Sequence, residues 1–118
     1  MLTLVIGASE HPERYSNKAI LMLQKFGHEV LALASRKGSI GNLEFYTEKP
    51  AFKQVDTVTL YINPRIQKEY YDYILRLHPR RVIFNPGTEN PEFYTLLKEK
   101  GIEVQEACTL VLLSTKQF

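Results

Sequence analysis

The most constraining feature of this 118-residue chain is its alternation between short apolar runs rich in β-branched residues and longer segments with helical periodicity. The strands predicted from this pattern are residues 2–6, 29–34, 57–62, 81–84 and 102–106. Continuous apolar runs indicate strands buried on both faces, and strands that alternate with helices indicate βαβ units with right-handed crossovers. We therefore predict an α/β fold in one domain over residues 1–118: a Rossmann-like doubly wound parallel sheet of five or six strands, in a three-layer α/β/α arrangement.

Capping residues mark where the helices begin and end. Ser16 resembles an N-cap, and the apolar periodicity after it continues to about Phe26, before Gly27. Asn63 followed by Pro64 predicts a second helix, to about residue 77, and the Asn-Pro pair at 90–91 predicts a third, to about residue 100. We also expect a short edge strand at 43–46 and an apolar tail at 109–113 that packs back onto the body.

Composition excludes several classes of protein. The net charge of +2 and the isoelectric point near 8.7 are too mild for a nucleic-acid-binding surface. No apolar run approaches the roughly 20 residues that cross a bilayer. The single cysteine cannot build an internal disulfide framework, which fits a reducing compartment, so we predict a cytoplasmic protein that contacts neither nucleic acid nor membrane.

Doubly wound sheets bind ligands beyond the carboxyl ends of their strands, which here points to loops 7–16, 35–40, 63–64 and 85–90. The first loop opens a helix, where backbone amides and the helix dipole favour a phosphate. Gly7 permits close backbone approach there, Ser9 and Ser16 offer hydroxyls, and Arg14 and Lys18 add positive charge. We predict a phosphate site in this loop.

The complete dinucleotide fingerprint is absent. Gly7 is the only glycine where G-x-G-x-x-G requires three. The second strand is followed by Ser35, Arg36 and Lys37, whereas a domain that binds NAD has an acidic residue there for the ribose hydroxyls. Two cations in that position favour a ligand with an additional phosphate on its ribose, which means NADP or coenzyme A (CoA).

Seven sequence blocks together resemble one family. They are VIGAS at 5–9, PERYSNKA at 12–19, GHEV at 27–30, DTVTLYINP at 56–64, RVIFNPGTENP at 81–91, GIEV at 101–104 and EACTL at 106–110. This pattern, which covers nearly the whole chain, resembles the small single-domain CoA-binding proteins. That family is similar to the N-terminal nucleotide-binding domain of the succinyl-CoA synthetase α subunit.

The resemblance implies a ligand, coenzyme A or an acyl-CoA, and a set of residues that contact it. The diphosphate is expected in the first loop and at the helix start, the ADP-ribose end on the second loop, adenine on the third, and pantetheine along the fourth. The corresponding residues are Gly7, Ala8, Ser9, Arg14, Tyr15 and Ser16; Ser35, Arg36, Lys37 and Gly38; Ile40, Asn63 and Pro64; and Asn85, Pro86 and Gly87. The family's second strand often ends in Asn-Pro-Lys, whereas this chain has Ser35-Arg36-Lys37 and lacks the proline.

No catalytic constellation is visible in the sequence. His11, His28 and His78 have no metal-ligand spacing, and only His11 falls in a candidate loop. Cys108 has no histidine near it in the sequence and is expected to be a buried structural residue. We therefore predict a non-catalytic or regulatory protein that binds a small nucleotide ligand and no metal.

Two other functions stay open at this point. An NADP-binding redox or sensor domain is permitted equally by Arg36 and Lys37. A protein-interaction scaffold with a vestigial pocket is the other alternative. Tyr70, Tyr71 and Tyr73 are expected to pack in the core or to form a self-association face, so a homodimer is possible.

Overall fold

The computed structural model describes residues 1–118, which form seven strands and five α-helices. The strands are β1 (Leu2–Ile6), β2 (Glu29–Leu33), β3 (Ser39–Ile40), β4 (Leu43–Glu44), β5 (Thr57–Leu60), β6 (Arg81–Phe84) and β7 (Glu103–Glu106). The helices are α1 (Tyr15–Lys25), α2 (Pro64–Gln67), α3 (Tyr71–Leu77), α4 (Pro91–Glu99) and α5 (Thr109–Ser114). None of these helices is long and apolar enough to pass through a membrane.

Five strands form one parallel sheet in the order β2-β1-β5-β6-β7. The chain adds β2 on one side of β1 and then places β5, β6 and β7 on the other side. This change of direction is typical of a doubly wound sheet. Successive side chains of a strand point to opposite faces, so β1 contributes Leu4 and Ile6 to one side and Val5 to the other. The sheet confirms the predicted α/β fold class and its parallel topology.

The two faces of the sheet are covered by different helices, which gives the three layers. On one face Leu4 and Phe84 pack with Ile74 of α3 and Phe93 of α4 in a buried cluster. On the other face β1 and β2 pack against two further helices in a second cluster; its members include Val5, Ile20, Leu23, Ala32 and Leu113. All of these side chains are nearly inaccessible, so both faces of the sheet are core.

The first helix begins two residues before the position expected from the sequence. Its N-cap is Arg14, which makes no side-chain capping bond, and Ser16 lies inside the helix with 4% of its surface exposed. The prediction of Ser16 as N-cap was therefore wrong. The reason is the preceding turn, in which the Arg14 amide donates to the His11 carbonyl at 3.0 Å and brings the chain into helical conformation early.

Both Asn-Pro pairs cap helices as predicted. The side chain of Asn63 accepts the Ile66 amide at 3.0 Å, and that of Asn90 accepts the Phe93 amide at 3.2 Å. The expected continuous helix over 64–77 is instead interrupted by a 3₁₀ turn at Lys68–Tyr70. At this break the buried Gln67 side chain donates to the carbonyls of Ile62 and Thr88, both at 2.8 Å.

The three clustered tyrosines pack against the body of the protein. Tyr73 is 5% exposed, and the ring of Tyr71 stacks on Phe93 with 4.3 Å between centroids. Tyr70 is half-buried and lies beneath the ammonium group of Lys49. These contacts assign the tyrosines to packing, and the homodimer stays a prediction.

Residues 39–46 form a small hairpin beside the end of β2. Strands β3 and β4 pair with each other, and Tyr46 pairs in parallel with Leu33. Two backbone bonds fix this position: Ala34 N to Tyr46 O at 2.9 Å and Tyr46 N to Ala32 O at 2.8 Å. The expected edge strand at 43–46 is thus shorter, at 43–44, and the hairpin stands at the carboxyl edge of the sheet.

Candidate functional site

The loops after β1 and β2 face each other because these strands are parallel neighbours. Between them is a cavity of about 470 Å³, which we call the nucleotide crevice. Its lining residues are Ala8, Ser9, Glu10, His11, Arg14, Ala34, Ser35, Arg36, Lys37 and Phe45. The structure therefore brings together the first and second loops that the switch-point rule selected.

Two further cavities, each of about 240 Å³, extend this crevice. The loop pocket is lined by Gly7, Ser9, Arg14, Tyr15, Ser16 and Tyr61, and shares two residues with the crevice. The apolar pocket is lined by Tyr15, Tyr61, Asn85, Pro86 and Cys108, and shares both tyrosines with the loop pocket. The three cavities form one path from the cations of the second loop to the end of β6.

Positive charge in the nucleotide crevice is not neutralised by ion pairs. Arg14, Arg36 and Lys37 are exposed, and none of them forms an ion pair. The ion pairs of the protein are elsewhere, between Arg80 and the carboxylates of Asp56 and Glu103; His11, which also lines the crevice, lies 3.9 Å from Glu13. One carboxylate, that of Glu10, also lines the crevice, so cations outnumber it. The crevice is suited to an anion with several charges.

The backbone amides at the start of the first loop are already in use. The amides of Gly7 and Ala8 both donate to the carbonyl of Leu33, each at 3.0 Å. The amides of the first turn of α1, at Tyr15 and Ser16, have no acceptor within their own helix. Both of those residues line the loop pocket, so this turn supplies backbone donors beside Arg14.

Gly7 is required by packing as well as by conformation. Its φ is +100°, and a Cβ built on it would lie 2.9 Å from the carbonyl oxygen of Tyr61. The glycine therefore lets the first loop lie directly against the end of β5.

Both polar atoms of the Asn85 side chain form hydrogen bonds within the fold. It is 2% exposed, and its Nδ2 donates to Thr59 Oγ1 at 2.6 Å and to Leu60 O at 2.9 Å. Its Oδ1 accepts the Thr109 amide at 2.9 Å. The Thr59 and Thr109 hydroxyls are themselves 2.8 Å apart. Asn85 thus joins β5, β6 and the start of α5, and holds the wall of the apolar pocket.

The other end of the expected site is less closely assembled. Ile40, Asn63, Pro64 and Gly87 line none of the three cavities. Ile40 is buried in the hairpin, Asn63 caps α2, and the Gly87 amide donates to the carboxylate of Glu89 at 2.9 Å. Gly38 lies at the rim of a neighbouring cavity beside Lys37.

Cys108 is half-buried, with its side chain in the lining of the apolar pocket. The expectation that this cysteine is buried was wrong, because it is the N-cap residue of α5, between the end of β7 and the helix, where one side of it faces the apolar pocket. Its neighbour Tyr61 has a buried hydroxyl with no hydrogen-bond partner. Burial raises the pKa of Tyr61 to about 12, so this side chain is a neutral wall of the pocket.

Sequence reasoning missed two features of this region. One is Glu10, whose carboxylate accepts the Ser39 amide at 2.9 Å across 29 positions of sequence, a separation that leaves no local signal. The other is a cavity of about 800 Å³ along the hairpin, which shares Lys37 and Phe45 with the nucleotide crevice. Glu44 and Glu48 line that cavity with Lys37, so it lacks the positive excess of the crevice.

Known structures share this architecture. A crystal structure of an uncharacterized protein is 47% identical in sequence, with a TM-score of 0.97 over 99% of this chain and 97% of that chain. A protein from Thermus thermophilus is 24% identical, with a TM-score of 0.85 over 99% and 90% of the two chains. A dinucleotide-forming acetyl-coenzyme A synthetase from Ca. Korarchaeum cryptofilum, solved with phosphate and ADP, is 15% identical and has a TM-score of 0.73 over 90% of this chain and 25% of its own. The last two likenesses concern the fold alone.

Sequence comparison identifies the family. No curated protein matches the chain. The family model described as a CoA binding domain matches residues 2–114, which is almost the whole chain. This match agrees with the resemblance found in the seven sequence blocks. The chain belongs to the CoA-binding domain family.

Proposed function

We propose that this domain binds coenzyme A or an acyl-CoA along the path formed by the nucleotide crevice, the loop pocket and the apolar pocket. The observation that carries the proposal is the polarity of that path. Three unpaired cations line its first part, and Tyr15, Tyr61 and Pro86 line its last part. Coenzyme A has the same order of chemistry, with phosphates at one end and the less polar pantetheine at the other.

The residues of the path suggest how each part of the ligand would be held. The ribose 3′-phosphate would meet Arg36 and Lys37, since charge-assisted bonds to phosphate are among the stronger contacts. The diphosphate would lie at Arg14 and the first turn of α1, where backbone donors and the helix dipole act together. Pantetheine would extend toward Cys108 in the apolar pocket. Adenine against Ile40, Asn63 and Pro64, with Gly38 at the second loop and Gly87 near pantetheine, rests on the family resemblance.

We further propose a binding or regulatory role without catalysis. The titratable side chains lining the apolar pocket are two tyrosines and one cysteine, and no histidine or carboxylate accompanies them. A general base must lie within hydrogen-bond reach of the group it deprotonates, so this pocket offers no base for acyl chemistry. The cytoplasmic location expected from the single cysteine belongs to the same proposal.

An NADP-binding domain is the second candidate, because Arg36 and Lys37 are equally suited to a ribose 2′-phosphate. A panel of ligands separates the two candidates by thermal unfolding. Coenzyme A and acetyl-CoA should each raise the melting temperature, and at 100 times its dissociation constant a ligand adds about 2.7 kcal/mol. NADP should give a much smaller rise, and NAD the smallest.

Two results of this panel would contradict the proposal. A larger rise with NADP than with coenzyme A would assign the domain to the redox or sensor class. No rise with any of the four ligands would favour the scaffold with a vestigial pocket. As a control, the protein is heated without nucleotide in inorganic sulfate at matched ionic strength, which accounts for unspecific anion effects.

A further inference from the structure

Glu10 occupies an unusual place for a carboxylate in a crevice that is otherwise cationic. It lines the nucleotide crevice together with Arg14, Arg36 and Lys37, yet it forms an ion pair with none of them. Its Oε2 instead accepts the backbone amide of Ser39 at 2.9 Å. The contact joins the loop after β1 to the loop after β2, across the opening of the crevice.

The second loop is shaped to receive this side chain. A Cβ on Gly38 would lie 2.7 Å from Cδ and 2.9 Å from Cγ of Glu10. Gly38 does not have a positive φ, so its backbone conformation does not demand glycine. The missing side chain at position 38 is therefore explained by the space that Glu10 fills.

We infer that Glu10 is an internal anion that competes with phosphorylated ligands for the nucleotide crevice and so sets their affinity. This inference rests on the proposed function. The carboxylate supplies negative charge to the crevice that Arg36 and Lys37 also line, and it accepts the Ser39 amide, a donor that would otherwise be open to a ligand phosphate. A ligand phosphate that enters must displace the carboxylate or bear its repulsion.

The negative charge of Glu10 fixes the expected direction of the change in affinity. Removing it should tighten the binding of coenzyme A, whereas removing a residue that contacts a ligand favourably weakens binding. Two unit charges about 4 Å apart in water repel by about 1 kcal/mol, which corresponds to about a fivefold change in affinity. The effect should be largest for the ligand with the most phosphate charge near residues 36–39.

Glu10→Gln is the decisive variant, because it removes the charge and retains an acceptor for the Ser39 amide. Isothermal titration should show coenzyme A binding about threefold to tenfold more tightly, with a smaller gain for dephospho-CoA. Glu13→Gln is the matched control: Glu13 lies in the same loop and carries the same charge, but it does not line the crevice and contacts only the exposed ring of His11, at 3.9 Å. It should leave both affinities nearly unchanged.

Gly38→Ala tests the contact without altering charge. The new methyl group should drive the flexible Glu10 side chain off Ser39 and raise the affinity for coenzyme A in the wild-type background. In the Glu10→Ala background the same change should no longer raise the affinity, because the side chain it displaces is gone; a rise of the same size there would overturn the inference.

The outcomes separate this inference from the proposed function. Unchanged or weaker binding of coenzyme A by Glu10→Gln, when the wild type binds it, overturns the competition and leaves the function standing. An equal gain in Glu13→Gln also overturns it, since net charge alone would then be responsible. If neither the wild type nor Glu10→Gln binds coenzyme A, both the inference and the function fail.

Discussion

The side chain of Asn85 holds the backbone of Thr109: its Oδ1 accepts the Thr109 amide at 2.9 Å, in a buried setting. Asn85 also donates to Thr59 Oγ1 and to Leu60 O, so one side chain fixes the ends of β5 and β6 and the start of α5. Cys108 directly precedes Thr109, and the wall of the apolar pocket therefore depends on this contact.

Replacing Asn85 with alanine should destabilise the protein strongly. The change leaves the Leu60 carbonyl and the Thr109 amide buried without a partner, and each such group costs about 1–3 kcal/mol. We expect a total loss of about 2–4 kcal/mol, measured by urea unfolding. Asn63→Ala is the control, because it removes only an exposed cap and should cost about 1 kcal/mol. Equal losses for the two variants would show that the Asn85 network is not what secures this region.

Cys108 should report directly on occupation of the apolar pocket. It is the one cysteine of the chain and is half-buried, so alkylation by N-ethylmaleimide can be followed without interference. Saturating coenzyme A should slow this alkylation several-fold, because pantetheine would cover the thiol. Adenosine 3′,5′-bisphosphate, which lacks pantetheine, should leave the rate nearly unchanged. Equal protection by both ligands would place the tail of coenzyme A elsewhere.

The Asp56 carboxylate gives a pH dependence of stability. It accepts Arg80 Nε at 3.0 Å and Nη2 at 3.1 Å, and the Thr57 hydroxyl at 2.7 Å. The bond from Arg80 is the main reason that the pKa of Asp56 lies below its ordinary value of 3.8. A depressed pKa stabilises the folded state above the unfolded pKa, and this gain is lost as the pH falls through the folded pKa.

Asp56→Asn should therefore cost about 1 kcal/mol in urea unfolding at neutral pH, the scale of a pair with a half-exposed arginine. The difference from wild type should shrink as the pH falls through the folded-state pKa of Asp56, since the carboxyl group of the wild type is then uncharged as well. Glu103→Gln, which loses only a 3.8 Å contact with Arg80, should cost much less. A cost for Asp56→Asn that stays the same at low pH would contradict the electrostatic origin.

The spacing of apolar residues and the capping residues at helix ends were enough to predict most of the fold. The bounds of β1 and β6 agree with the apolar runs at 2–6 and 81–84, because a buried strand leaves a continuous apolar run. The break in the helix over 64–77 could not be predicted from local sequence. It lies beside Gln67, whose side chain bonds the carbonyl of Thr88, 21 residues away. Residues 39–46 were equally difficult, because their hairpin depends on pairing with β2.

The sequence was enough to predict which loops form the candidate site, but not what each residue in them does. Gly7 was expected to let the backbone approach a ligand, and the structure shows a second requirement for glycine: a Cβ there would lie 2.9 Å from the carbonyl oxygen of Tyr61. Gly7→Val should thus unfold the loop and weaken the binding of every ligand. The variant therefore cannot show whether the diphosphate contacts this loop. Glu10 was missed because its partner Ser39 is 29 residues away, and only the fold brings the two loops together.

The central claim, that the crevice reads the 3′-phosphate of coenzyme A through Arg36 and Lys37, is tested most directly by one set of isothermal titrations. Coenzyme A and dephospho-CoA are titrated into the wild type and into the double variant Arg36→Ala/Lys37→Ala. Lys98→Ala/Lys100→Ala is the matched control, since it removes two exposed cations at the far end of α4.

We expect the Arg36/Lys37 variant to lose about tenfold to thirtyfold in affinity for coenzyme A, at about 1 kcal/mol for each exposed pair. Its affinity for dephospho-CoA should be little changed, and the control should bind both ligands as the wild type does. Equal losses for the two ligands would contradict the claim, because the 3′-phosphate would then not be recognised by these side chains.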